Sequence, residues 1–177
     1  KTTEYDVVVS KGFTELKPTA FTAYENSEYI DYRTPDFDKS KIGRIIFTGF
    51  QKCLYPYAKF DSDTERRFSV ILEKESSKWF RPVKGQFGIF YKMGSEQPEY
   101  IPDFVAETND SIYMIETKAR NEMTSQEVTN KKEAAEKWCG YASDHNAKIG
   151  GKHWKYLLIA HDQVQDNMTL MYYEGNM

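Results

Sequence analysis

The stretch YIPDFVAETNDSIYMIETK, residues 100–118, decides how the rest of the chain is read. Residues 100–107 and 111–118 are rich in aromatic and β-branched side chains and read as two strands. The polar cluster Thr108-Asn109-Asp110-Ser111 between them reads as a turn. Pairing Thr108 with Ser111 sets Asp103 directly opposite Glu116. Opposed residues on a hairpin share a face, with β-carbons about 4.5–5.5 Å apart, and like charges placed there destabilise the sheet. A hard cation between the two carboxylates removes that conflict, and carboxylate oxygens are the ligands Mg2+ prefers. Lys118 follows Glu116 by two positions and therefore joins the same face. An ammonium beside two metal-binding carboxylates can orient a water and offset charge on a phosphate. Ion pairing of Lys118 with Glu116 on an ordinary surface hairpin is the plainer account of the same residues.

Working outward, Ser62 and Glu65 form an S-x-x-E capping box that starts a helix, with Phe68, Ile71 and Leu72 on one face and a stop by Ser76-Ser77. Residues 78–83 and 87–92 read as short strands. After the hairpin, Thr124 and Glu127 give a second capping box, and Val128, Ala135, Trp138 and Ala142 mark the buried stripe of a long helix. Residues 154–160 (WKYLLIA) are apolar apart from Lys155, as in a strand buried on both faces, and 168–173 (MTLMYY) read as a last strand. Upstream, 4–9 and 44–50 also read as strands. The order helix, strands, helix, strand predicts an α/β fold, a central mixed β-sheet flanked by helices (αβββαβ). Residues 45–177 form the predicted domain, and 1–44 a partly β extension.

The 177 residues suffice for one domain, and 40% apolar with 15% aromatic side chains exclude wholesale disorder. No run of apolar residues is long enough to span a membrane, and no leader supports secretion, so a cytoplasmic protein is expected. Lys1 in place of an initiator Met fits a piece of a longer protein. Cys53 and Cys139 form no CxxC pair and are expected as reduced thiols. The three histidines form no HExxH, and neither GxGxxG nor a P-loop is present. The net charge of −3 hides a strong asymmetry. Residues 41–92 carry 11 basic and 5 acidic side chains, whereas both flanking segments are acidic. Aromatic residues interleave with those cations, as in segments that meet nucleic-acid phosphates.

KFDSDTERRF (59–68), KWFRP (78–82), YIPDFVAET (100–108), IETKAR (115–120) and KKEAAEKW (131–138), in this order, resemble the PD-(D/E)xK nuclease superfamily. The closer resemblance is to the carboxyl-terminal endonuclease domain of the helicase-nuclease subunit of type III restriction enzymes. It covers about residues 45–165 and implies a restriction-endonuclease-like core and Mg2+-dependent cleavage of double-stranded DNA, with Mn2+ as a substitute. It also implies a covalently linked upstream helicase domain and a methyltransferase (modification) subunit as partners. By this resemblance Asp103 and Glu116 hold the metal with help from the Thr117 carbonyl, Lys118 positions the attacking water, and Glu65 completes the acidic set. Arg66, Arg67, Lys78, Lys131 and Lys132 are candidate DNA contacts. The centre of the ETK triplet is Thr117 where a small or apolar residue is common, and strand alternation points that side chain away from the site. No helicase motif is present. Two other functions fit the same residues: a non-catalytic DNA-docking module, and a hydrolase of small phosphate esters, which lacks a phosphate-cradling glycine loop.

Overall fold

The computed structural model describes residues 16–17, 21 and 23–175. Its strands are β1 (Glu28–Asp31), β2 (Ile45–Thr48), β3 (Lys78–Phe80), β4 (Ile89–Phe90), β5 (Glu99–Tyr100), β6 (Phe104–Glu107), β7 (Ser111–Lys118) and β8 (His153–Ala160). The helices are α1 (Asp63–Glu75), α2 (Gln126–Lys148) and α3 (Leu170–Gly175), with short 3-10 turns at Lys39–Arg44, Arg120–Glu122 and His161–Gln163.

The central sheet has the order β3-β6-β7-β8. β3, β6 and β7 are antiparallel neighbours, whereas β8 lies parallel to β7 and is reached through α2. Helices cover both faces. Tyr113 and Ile115 of β7 and Leu157 and Ile159 of β8 pack with Phe68, Ile71 and Leu72 of α1. The intervening residues Met114 and Tyr156 pack with Ala135 and Cys139 of α2. The molecule is thus an α/β protein with a mixed sheet flanked by helices, as the element order predicts.

β6 and β7 adopt the predicted register, Phe104 opposite Ile115 through Glu107 opposite Ile112, and the Thr108 N–H donates to the Ser111 carbonyl at 2.9 Å. α1 starts at its predicted cap, where the Ser62 hydroxyl accepts from the Glu65 N–H at 3.2 Å. α2 starts one residue later than predicted, because Ser125 rather than Thr124 caps it through the Val128 N–H. Trp138 is only partly buried and meets Trp154 and Phe87 edge-on. The two cysteines are free thiols.

Two expectations change. Residues 168–173 are not a strand: Leu170 and Tyr173, one helical turn apart, are buried, and the Thr169 hydroxyl accepts from the Tyr172 N–H, so the segment coils into α3. The strands expected at 78–83, 87–92 and 100–107 are shortened to 78–80, 89–90 and 104–107. Pro82, Pro98 and Pro102 lack ladder donors, and Gly85 and Gly88 take positive φ, so the chain leaves the central sheet and forms the small antiparallel pair β4-β5. Upstream, β1 pairs in parallel with β2 across the expected boundary after residue 44, and Tyr32 stacks on Phe50 at 4.8 Å. The strand expected at 4–9 lies outside the described residues. Among the described residues no helix is long and apolar enough to cross a membrane.

Candidate active site

The hairpin register, extended one residue beyond Phe104–Ile115, brings Asp103 opposite Glu116. Asp103 sits just outside β6, and its position is fixed by Thr117. The Asp103 Oδ2 accepts from both the Thr117 N–H (2.7 Å) and the Thr117 hydroxyl (2.8 Å). This corrects the expectation that the Thr117 side chain turns away from the site, since its hydroxyl clamps one of the two carboxylates.

Glu116 is 3% exposed. One carboxylate oxygen accepts from the Tyr100 hydroxyl at 3.2 Å, and the other lies 3.3 Å from the Lys118 Nζ. Burial pushes the Glu116 carboxyl up to about 7, the negative charge of Asp103 adds to that, and Lys118 and Lys131 oppose it. Burial weighs against the Lys118 ammonium, but the carboxylates of Glu116 and Asp103 outweigh it and raise its pKa, so the ammonium stays charged. The buried Tyr156 hydroxyl finds no well-formed hydrogen bond, although it lies within electrostatic reach of Glu116.

Glu65 approaches from the first turn of α1. Its carboxylate accepts from the Asp61 N–H at 3.1 Å and pairs with Arg81 at 2.8 Å. Its backbone is capped by Ser62, so it takes part in helix capping as well as facing the site. Burial pushes its carboxyl up to about 7, opposed by Arg81 and assisted by Asp103.

Arg81 is the residue the sequence reading missed. Its guanidinium pairs with Glu65, donates to the Asp103 carbonyl at 3.4 Å and to the Lys59 carbonyl, and lies over the rings of Phe60 and Phe104. The signal was the arginine of KWFRP, placed by Pro82 where the chain leaves β3.

The candidate DNA contacts separate. Lys131 is held by Glu127 at 2.6 Å over the Tyr91 ring, and its charge reaches Glu116. Lys132 pairs with Glu136 at 3.7 Å and Arg67 with Asp166 at 3.2 Å, both at the surface. Arg66 does not fit its expected role. Its side chain is 8% exposed and committed to Asp63, the Tyr32 carbonyl and the Phe37 ring, so it binds the upstream segment instead of solvent. Lys78 pairs with Glu107 at 3.0 Å, at the turn end of the hairpin, whereas the carboxylates lie at its open end.

Among the described residues no three His, Cys, Asp or Glu side chains converge as a ready metal group. The available donors are the two opposed carboxylates, with Glu65 held aside by Arg81. That set suits Mg2+ more than zinc, because Mg2+ commonly binds through one or two carboxylates and retains several waters. No family model, curated protein or solved structure matches the chain.

Proposed function

We propose that this chain is a Mg2+-dependent DNA endonuclease domain on a restriction-endonuclease-like core, similar to the nuclease end of type III restriction helicase-nuclease subunits. The reading places the protein in the cytoplasm, joined to an upstream helicase and working with a methyltransferase subunit. The observation that carries it is the meeting of Asp103, Glu116 and Lys118 at the open end of one hairpin, with Glu116 buried and poorly able to ionise without a cation. The order α1, β3, β6, β7, α2, β8 around the central sheet supports the same core.

Asp103 and Glu116 would hold Mg2+, or Mn2+ in its place, with the Thr117 carbonyl assisting. When bound, the ion lowers the pKa of a water and offsets charge on the phosphate. Thr117 orients Asp103 through two hydrogen bonds, so that carboxylate is set before substrate arrives. Lys118, charged and fixed against Glu116, positions the attacking water and faces the phosphate. Arg81 keeps the Glu65 charge balanced and steadies the Asp103 main chain.

Plasmid nicking with Mg2+ and with chelator, for the wild type and for Asp103→Ala and Glu116→Gln, tests this. Mg2+-dependent nicking that both substitutions abolish is expected. Nicking that persists in chelator or in Asp103→Ala would sink the reading.

A non-catalytic DNA-docking module is the second reading. It is favoured by the extent to which Thr117, Tyr100 and Lys118 already satisfy the two carboxylates. It predicts salt-sensitive DNA binding that survives loss of both carboxylates.

A further inference from the structure

A cleft of about 570 Å³ borders the candidate site. Asp103 and Arg81 belong to its lining, and Glu116 and Lys118 do not. The rest of its wall includes the rings of Tyr55 and Tyr57, Ile101 and the Lys84 side chain. Tyr57 is 45% exposed and Ile101 39%. The Tyr55 ring is fixed, with its hydroxyl donating to the Lys17 carbonyl at 2.5 Å and its edge against Phe80. The Tyr57 ring meets the exposed Tyr29 in a T-shaped arrangement, centroids 6.0 Å apart, and Tyr57 belongs to the lining of the cleft.

Exposed rings beside cations in a groove are the composition that binds single-stranded nucleic acid, because every base has a face that can stack. The volume falls within the roughly 300–1,000 Å³ of sites for molecules of nucleotide size. A duplex does not enter such a space, as its major groove alone is about 12 Å wide. The acids Asp61 and Asp103 in the lining disfavour a phosphate there, whereas a neutral base is tolerated and Lys84 can meet the backbone. Asp103 is common to the cleft and to the carboxylate pair. A nucleotide lodged in the cleft is therefore a near neighbour, along its own strand, of any phosphate held at Asp103 and Glu116.

We infer that the cleft receives an unpaired nucleotide of the strand being cut, its base stacked on Tyr57. The domain then acts on DNA carrying a single-stranded or melted segment beside the scissile phosphate, in preference to uninterrupted duplex. The inference rests on the nuclease reading for its place in a reaction, while the binding itself is independent of metal.

Fluorescence anisotropy in chelator, with a short labelled oligothymidylate and a blunt duplex of equal length, tests the cleft on the whole chain. The wild type is expected to bind the single strand more tightly than the duplex. Tyr57→Ala is expected to weaken single-strand binding about 5- to 150-fold, the loss of one stacked base, with duplex binding unchanged. Tyr57→Phe, which keeps the ring, is expected to stay within about twofold of wild type by the same stacking argument. Equal affinity for the two probes, or no effect of Tyr57→Ala, overturns the inference. A parallel Mg2+ digestion of gapped and intact duplex separates the two proposals. Cleavage of gapped duplex by Tyr57→Ala at the wild-type rate leaves the nuclease reading standing and removes the cleft's role. Absence of cleavage with Tyr57-dependent single-strand binding removes the nuclease and keeps the cleft.

Discussion

At Glu116, burial and the charge of Asp103 favour the protonated carboxyl, and Lys118 and Lys131 favour the ionised one. The first pair prevails, and the same balance holds at Glu65, where burial and Asp103 outweigh Arg81. Both groups therefore have a folded pKa of about 7 against an ordinary value of 4.5. Between those values the folded chain binds more protons than the unfolded one, so stability falls as pH rises. In chelator the melting temperature is expected to drop between about pH 4.5 and pH 7, as far as these two groups control it. Glu116→Gln should flatten that drop, and Mg2+ added near pH 7 should restore the wild type more than the variant. A wild-type profile that rises through this window and is unchanged in Glu116→Gln would contradict the assignment. Thr117→Val tests the clamp on Asp103 by removing the hydroxyl donor and keeping the N–H. Loss of one charge-assisted hydrogen bond, about 1.5–3 kcal/mol, predicts Mg2+-dependent nicking reduced roughly 10- to 150-fold if the bond persists in the transition state. At this scale Asp103, Glu116 and Lys118 were legible because strand alternation alone places them. Arg81 was not, because its partners at positions 59, 61, 65 and 103 come from three separate segments.

The elements most legible in the sequence are those whose pattern is local. The β6–β7 register follows from a polar turn between two apolar runs, and α1 follows from Ser62 and a one-sided apolar face. What positions α1 against β3 is not local. The carboxylate of Glu73, near the end of α1, accepts from three successive backbone N–H groups, Gln51 (3.0 Å), Lys52 (2.9 Å) and Cys53 (3.1 Å), and from the Trp79 indole (2.8 Å). Consecutive N–H groups turned to one point make an anion nest, here filled by a side chain from 20 residues further along the chain. Nothing in the loop sequence announces it, because backbone donors are carried by any residue except proline. Glu73→Ala leaves four buried or half-buried donors unpaired and is expected to destabilise the fold by about 3–5 kcal/mol. Glu73→Gln, which keeps the shape and loses the charge, should cost less. Urea unfolding followed by Trp fluorescence measures both, and equal midpoints for Glu73→Ala and wild type would remove the nest from the account. α3 is hidden from the sequence for a related reason. MTLMYY is apolar apart from Thr169, and the burial of Leu170 and Tyr173 one turn apart distinguishes a helix from a strand.

Over the whole molecule, the positive segment 41–92 proves less available to DNA than its composition implies. Arg66 is buried, Arg81 is spent on Glu65, and Lys78 and Arg67 are paired with acids from the more acidic downstream segment. Charge counted along the sequence is thus partly neutralised across the fold, and any DNA-binding surface is smaller than 11 cations suggest. The same long-range pairing bears on where the domain begins. A start at residue 45 follows from the resemblance alone, but β2 takes β1 as its parallel partner, Tyr32 stacks on the core residue Phe50, and the buried Arg66 donates to the Tyr32 carbonyl at 3.1 Å. Removing residues 1–44 would expose Ile45, Ile46 and Phe47, each at most 1% exposed in the intact molecule, and leave the Arg66 guanidinium with one acceptor fewer inside the protein. Fully burying an aliphatic or aromatic side chain is worth about 1.5–3 kcal/mol, so partial exposure of three of them approaches the total stability of about 5–15 kcal/mol for a domain. A fragment spanning 45–177 is therefore expected to lose cooperative thermal unfolding, whereas a fragment spanning 23–177 keeps the β1–β2 pair and should melt cooperatively. Calorimetry of the two fragments decides it, and a cooperative transition for 45–177 within a few degrees of the longer fragment would show that β1 is an accessory to the core and not part of it.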